Sequence, residues 1–400
     1  MLEALQRKNK PIIYLMLSKI NFLMNKIYLF TAAFAVMASL SGCSDTELAS
    51  IDTAQEKTPI GFHTVGSQMG SRATIIDNGT ITNTDFKVYA FTNDGTAFMG
   101  KNDTNDDEMA HNGVHIKYDN TTNAWTYAKS SDLRYWPNDP LDFYAVSPAT
   151  FSEDLYFGWI FDHEKRIIKY SSSDEYNKDA TQAPAANVDV MYAVAKGQTK
   201  ANGKVNLTFK HILSQVLFKA KTNDDKLKVE IENIKIHNFH VGGTFTIPEG
   251  DPKRENWSLA DISPMFTLTA GMDGTKTVTS TSTEIITKPM LFVPQSLTAW
   301  KPSEKNIDNA NKAKLTYLEI SCRITQNGTY LFGKDGFKTL YVPFSATWEP
   351  GKRYVYTLIF GGGYTEESQQ ILTPISFTAS AEDWKADTGN LTNGNDIVTQ

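Results

Sequence analysis

The chain has 400 residues, with 39 Lys and Arg against 45 Asp and Glu, and a formal net charge of −6 at pH 7. This balance lays down no basic footprint and excludes nucleic acid as a partner. Two cysteines rule out a disulfide-built scaffold, and the length allows two domains with separate cores.

The first element is an export signal. Lys26 precedes an apolar run from Ile27 to Leu40, interrupted only by Thr31 and Ser39, and small residues follow. A positive start, a short apolar stretch and a small-residue end make a secretory signal. The run is shorter than the roughly 20 residues that cross a bilayer as a helix. Residues 24–42 are the expected signal peptide, Met24 is an alternative start, and 1–23 read as an upstream extension. Leu40-Ser41-Gly42-Cys43 resembles the lipobox of bacterial lipoproteins. The resemblance implies a lipid on the Cys43 thiol and cleavage before it, with acyl chains that bury about 0.8 kcal/mol per methylene.

Residues 44–57 are polar and without periodicity, and the tether is expected over 43–57. Beyond them, apolar residues recur at a spacing of two. Ile60, Phe62 and Thr64 share one face of a short segment. Phe86, Val88 and Ala90 alternate, as do Leu141, Phe143 and Ala145, and Val205, Leu207 and Phe209. Val229 with Ile231, Ile234 with Ile236, and Phe245 with Ile247 follow, then Tyr354 to Phe360 and Ile375 with Phe377. Turn dipeptides such as Asn202-Gly203, Asn327-Gly328 and Pro350-Gly351 punctuate the runs. Many short strands with such turns predict an all-β sandwich or barrel. The stretches 100–113, 150–187 and 249–280 are polar and poor in pattern, and read as surface loops. A boundary near 210 would divide the chain into a sandwich over 58–210 and another over 211–400.

Residues that could carry chemistry do not converge. His111 with His115, and His237 with His240, have metal-ligand spacing only on a helix, and neither pair lies in a helical pattern. Asp103, Asn105 and Asp107 alternate like a calcium loop, but Glu108 and Val114 stand where Gly and Glu are needed. Gly361-Gly362-Gly363 lacks the Lys and Ser or Thr of a phosphate loop and reads as a flexible strand exit. Cys322 lies at core spacing with Leu318, Ile320 and Ile324, and reads as a buried small residue. Trp136 and Trp348 suit either a core cap or an exposed sugar-stacking platform. No enzyme and no cofactor are expected.

Several segments, taken in order, resemble the fimbrillin-like lipoproteins of Bacteroides-type bacteria. They include Phe86-Lys87-Val88-Tyr89-Ala90-Phe91, Tyr135-Trp136-Pro137, Asp189-Val190-Met191-Tyr192-Ala193 and Leu207-Thr208-Phe209-Lys210-His211. Gly243-Thr244-Phe245, Leu291-Phe292-Val293-Pro294-Gln295 and Trp348-Glu349-Pro350-Gly351-Lys352 continue the series, and Trp384 closes it. The resemblance implies two transthyretin-like β-sandwich domains and a surface pilus subunit, as stalk, anchor or tip. It further implies transport to the outer membrane on the lipid and removal of an N-terminal strand by an arginine-specific protease. A strand from a neighbouring pilus subunit then fills the opened groove. On this chain the removable strand would hold Ile60, Phe62 and Thr64. The cut would fall between Arg72 and Ala73, Arg72 being the only arginine between Cys43 and Arg134. The donor strand is left open between Ile371–Phe377 and the polar tail 385–400. A non-polymerising surface adhesin for a glycan or host protein is the competing expectation.

Overall fold

The computed structural model describes residues 57–65, 84–100, 113–149, 158–162, 164–171, 189–260, 266–270, 272–286, 289–372, 375–383 and 396–397. These residues are almost entirely β. Cys43, Arg72, Ala73, His111, Trp384 and the Asp103–Asp107 stretch lie outside them.

The first half centres on an antiparallel sheet ordered Lys210–His211, Met191–Gln198, Leu141–Ser147, Phe86–Thr92, Val114–Asp119 and Ala124–Tyr127. Alternation puts Phe86, Val88 and Ala90 on one face, where they pack with Phe143, Ala145 and Ala193. Val and Phe suit such a pleated surface because branched and aromatic side chains pack across neighbouring strands.

The other face is buried as well. Tyr89, Phe91, Tyr144 and Tyr192 all lie in a second cluster. The cover is a four-stranded sheet ordered Trp257–Leu259, Gly242–Thr246, Ile167–Ser171 and Gly158–Asp162. This corrects two sequence readings. The 150–187 stretch is not all surface loop, since Gly158–Asp162 and Ile167–Ser171 pair antiparallel and their Phe161 and Ile168 are fully buried. The 249–280 stretch likewise supplies strands at Trp257–Leu259, Phe266–Thr269 and Lys276–Val278. Backbone pairing also crosses residue 210, because Ile167–Ser171 runs antiparallel to Gly242–Thr246 over five pairs.

The second half is a sandwich of two larger sheets. One contains Ser214–Thr222 parallel to Lys352–Phe360, with Ser376–Asp383 antiparallel beyond it. The other is built on Leu227–Phe239, Tyr317–Gln326 and Lys338–Pro343. Their facing residues form the largest core cluster, which takes in Phe218, Ile236, Leu340 and Phe360. Trp348 is fully buried there, stacked on Phe292 at 4.5 Å with its Nε1 donating to the Tyr356 hydroxyl. Cys322 is buried in the same core, which pushes its thiol up to about 12. Gly362–Tyr364 is a strand pairing with Gln370–Leu372, not a flexible exit. One short helix, Ile307–Lys312, is capped by the Asn306 side chain accepting from the Asn309 amide.

Candidate functional site

The candidate site is the segment 58–65 and the slot that holds it. Phe62–Val65 runs parallel to Val205–Thr208, pairing Phe62 with Val205 through Val65 with Thr208. The two strands form a sheet of their own, so Phe62–Val65 has a single strand partner among the described residues. Upstream, the Val205 amide donates to the Gly61 carbonyl at 2.8 Å and the Ile60 amide to the Arg134 carbonyl at 2.9 Å. The Trp136 amide donates to the Thr58 carbonyl at 3.0 Å, and Pro59, which has no N–H to offer, bridges Tyr135.

Period-two geometry sends Ile60, Phe62 and Thr64 to one side. Ile60 and Phe62 are 1% and 2% exposed, Thr64 is half-buried, and His63 points to solvent. The Phe62 ring sits edge-on to three others, Tyr127 at 5.9 Å, Phe143 at 6.1 Å and Phe86 at 6.3 Å. Burying an Ile or Phe side chain stabilises by about 1.5–3 kcal/mol. Two side chains of the slot reach the segment by hydrogen bonds. The Tyr127 hydroxyl donates to the Ile60 carbonyl and Trp125 Nε1 donates to the Thr64 hydroxyl, each at 3.0 Å. Burial pushes the Tyr127 hydroxyl up to about 12, so it stays a donor at neutral pH. Trp136 is half-buried against Phe143 in this core. Trp125 and Tyr127 were missed by sequence reasoning. Their strand has no contrast between its two faces, since all four residues of Ala124–Tyr127 are half-buried.

At the other end of the chain, Ser376–Asp383 pairs with Lys352–Phe360 over eight residues. Ile375 and Ala379 are buried, and the Phe377 ring packs on Phe344 at 5.5 Å and Tyr356 at 6.0 Å. The sequence here repeats the N-terminal segment. Thr58-Pro59-Ile60-Gly61-Phe62 and Thr373-Pro374-Ile375-Ser376-Phe377 differ only by Ser for Gly.

The described histidines of the two pairs, His115, His237 and His240, have other partners. His115 meets Asp85 at 2.7 Å, and His237 meets Glu319 at 2.8 Å. His240 contacts the Ala260 carbonyl at 2.9 Å. Glu319 also accepts from Lys235 at 2.9 Å. The hydrogen bond from His237, helped by that from Lys235, holds the Glu319 carboxyl down at about 2 despite its partial burial.

A β-sandwich protein that holds one of its own strands in an apolar slot is the class that fold and site define. A family profile described as "Fimbrillin-like" matches residues 71–384, and the chain belongs to that fimbrillin-like family. The match begins just beyond the 58–65 segment. Among solved structures, a fimbrial protein of Bacteroides vulgatus is 14% identical with a TM-score of 0.51, covering 82% of this chain and 99% of its own. A protein of Bacteroides uniformis solved as a cell-adhesion candidate is 15% identical with a TM-score of 0.46, covering 82% and 99%. The fimbrial tip protein Mfa3 of Porphyromonas gingivalis, in a C-terminally truncated form, is 9% identical with a TM-score of 0.35, covering 75% and 94%. No curated protein matches the chain.

Proposed function

We propose that this protein is a pilus subunit, or a tip or accessory subunit, exported as a lipoprotein on Cys43 and assembled by strand exchange after cleavage between Arg72 and Ala73. The observation that carries this reading is the seating of 58–65. The segment fills an apolar slot with Ile60 and Phe62, yet among the described residues it is held in a ladder by one strand only. Removing it would leave Phe86, Tyr127, Phe143 and the open edge of Val205–Thr208 without cover. An exposed edge beside an apolar slot is a template for an incoming strand, whose backbone supplies hydrogen bonds and whose alternate side chains fill the pockets. The Thr-Pro-Ile-x-Phe repeat favours the segment around 373–380 as that strand, with Ile375 taking the place of Ile60 and Phe377 that of Phe62.

The test is to treat the purified precursor with an arginine-specific protease and to follow its N-terminus by mass spectrometry and its size on non-boiled gels. The expected product starts at Ala73 and forms a ladder of multimers, and Arg72→Ala gives neither. Labelling with a palmitate analogue is expected to disappear in Cys43→Ser. Trimmed material that stays monomeric, with no partner subunit able to join it, would instead support a non-polymerising adhesin of the outer membrane that binds a host glycan or protein.

A further inference from the structure

The sheet built on Leu227–Phe239 carries a cavity on its solvent side. Val229 and Ile231 point into the core, and then Ile234 and Ile236 do. The change from odd to even is absorbed by a bulge, where the pairing jumps from Ile231–Cys322 to Asn233–Ser321. A bulge leaves one residue without an opposite number and re-aims its side chain. Here that residue is Glu232, beside Asn233. The adjoining edge is broken at the same level. Lys276–Val278 pairs with the strand up to Ile231, and Phe266–Thr269 pairs with it from Lys235 onward. Between these two, Ala270 and Met272 line the far wall of a cavity of about 390 Å³, and Glu319, Ser321 and Thr339 line it from the next two strands.

The chemistry of the lining is lopsided. The Ser321 hydroxyl donates to Glu232 at 2.8 Å, and Lys235 donates to Glu319 at 2.9 Å. These donors are thus turned onto carboxylates of the protein. What remains is acceptor capacity from the second Glu232 oxygen and the Ser321 lone pairs, beside the Asn233 amide and the Thr339 hydroxyl, which can each donate and accept as sugar hydroxyls require. Two carboxylates against one ammonium repel phosphate and carboxylate ligands. A metal ion is poorly served, since no cluster of three or more ligating side chains occurs among the described residues. An ammonium group is a point charge and would meet only part of an array spread over strands about 4.8 Å apart. Several hydroxyl donors carried on one rigid ring, with a C–H face for Met272, fit the array. The volume lies near the lower end of the roughly 300–1,000 Å³ typical of ligand sites, enough for one or two rings.

We propose that this cavity binds a neutral saccharide unit, with Glu232 and Ser321 accepting its hydroxyl protons. The site lies on a different sheet from the 58–65 slot, and its test does not depend on strand exchange. Saturation-transfer NMR and titration calorimetry on the purified chain would use lactose, maltose, diacetylchitobiose and methyl mannoside. Ethanolamine and inorganic phosphate serve as amine and anion controls. At least one saccharide is expected to bind at millimolar concentration. Glu232→Gln and Ser321→Ala are each expected to weaken it about tenfold with unchanged thermal unfolding, while Tyr330→Ala on the exposed hairpin leaves it unaltered. The proposal falls if none of the saccharides binds, if ethanolamine or phosphate binds in their place, or if both cavity variants bind as the native chain does.

Discussion

Phe62 concentrates the energetics of the N-terminal segment in one side chain. Its ring touches three others at 5.9–6.3 Å and is 2% exposed. Phe62→Ala is expected to cost about 3–5 kcal/mol in urea unfolding of the untrimmed chain, the usual range for a large-to-small change in a packed core. Trp125→Phe keeps an aromatic side chain but loses the indole N–H and its bond to Thr64, so about 1 kcal/mol is expected for the bond alone. Once 58–65 has been removed by the protease, Trp125→Phe no longer has that bond to lose, and its cost should shrink. Glu319 acts through charge. Its carboxyl titrates near 2 in the fold against an ordinary value of 4.5, so the unfolded chain binds the proton first on acidification. The stability this gives is fully present above pH 4.5 and drains away as the pH falls through about 2. Discounted for its partial exposure, it is on the order of 2 kcal/mol. Glu319→Gln should therefore flatten the acid limb of a stability-against-pH curve and leave Lys235 and His237 without their carboxylate. An acid limb as steep as that of the native chain would contradict this assignment.

At the scale of elements, the strands that carry the two Phe residues of the Thr-Pro-Ile-x-Phe repeat sit in opposite pairing geometries, Phe62–Val65 parallel to Val205–Thr208 and Ser376–Asp383 antiparallel to Lys352–Phe360. What they share is a spacing of apolar side chains, which is the property a slot reads. Synthetic peptides of residues 58–65 and 373–380 should both bind the protease-trimmed chain and compete with each other, as measured by fluorescence polarisation. Replacing Phe62 or Phe377 by Ser within the peptide should abolish binding. Failure of the 373–380 peptide alone would move the donor elsewhere, to the tail or to another subunit. Much of this element layout was legible in the sequence. The alternations at 86–90, 141–145 and 205–209 fall on strands in the fold, because the side chains that recur at a spacing of two share the face that packs into one core. The hairpin of Gly158–Asp162 and Ile167–Ser171 was not legible. Trp159 and Tyr170 are covered by neighbours far along the chain, and polar flanks hide so short an alternation. The bulge was half-legible. Ile231 and Ile234 differ in parity, and only an extra residue lets both face one core.

For the whole molecule, the least legible feature is the double burial of the first sheet. Strand Phe86–Thr92 reads as alternating apolar and polar, yet Lys87 and Tyr89 are buried as thoroughly as a central strand requires. Their cover comes partly from Gly242–Thr246 and Trp257–Leu259, beyond the expected boundary near 210. A sequence lists neighbours along the chain, and the covering sheet pairs residues some 75 positions apart, such as Ile168 with Phe245. The 58–65 segment was legible as a strand, but its slot was not, because Trp125 and Tyr127 reach it from one strand and Val205 from another far along the chain.

That shared sheet has a mechanical meaning for a protein of fimbrial family. In the proposed strand-exchanged assembly, a tug on the slot would be felt first by the sheet of the first half, whose Phe86 and Phe143 line it. It can reach the second half along the covalent chain at 209–214, or through the five rungs that join Ile167–Ser171 to Gly242–Thr246. The routes run side by side. Stretching the link alone is therefore not enough to part the halves, because the rungs must be broken too. The sheet that hides Tyr89 and Phe91 from water is also a tie against tension.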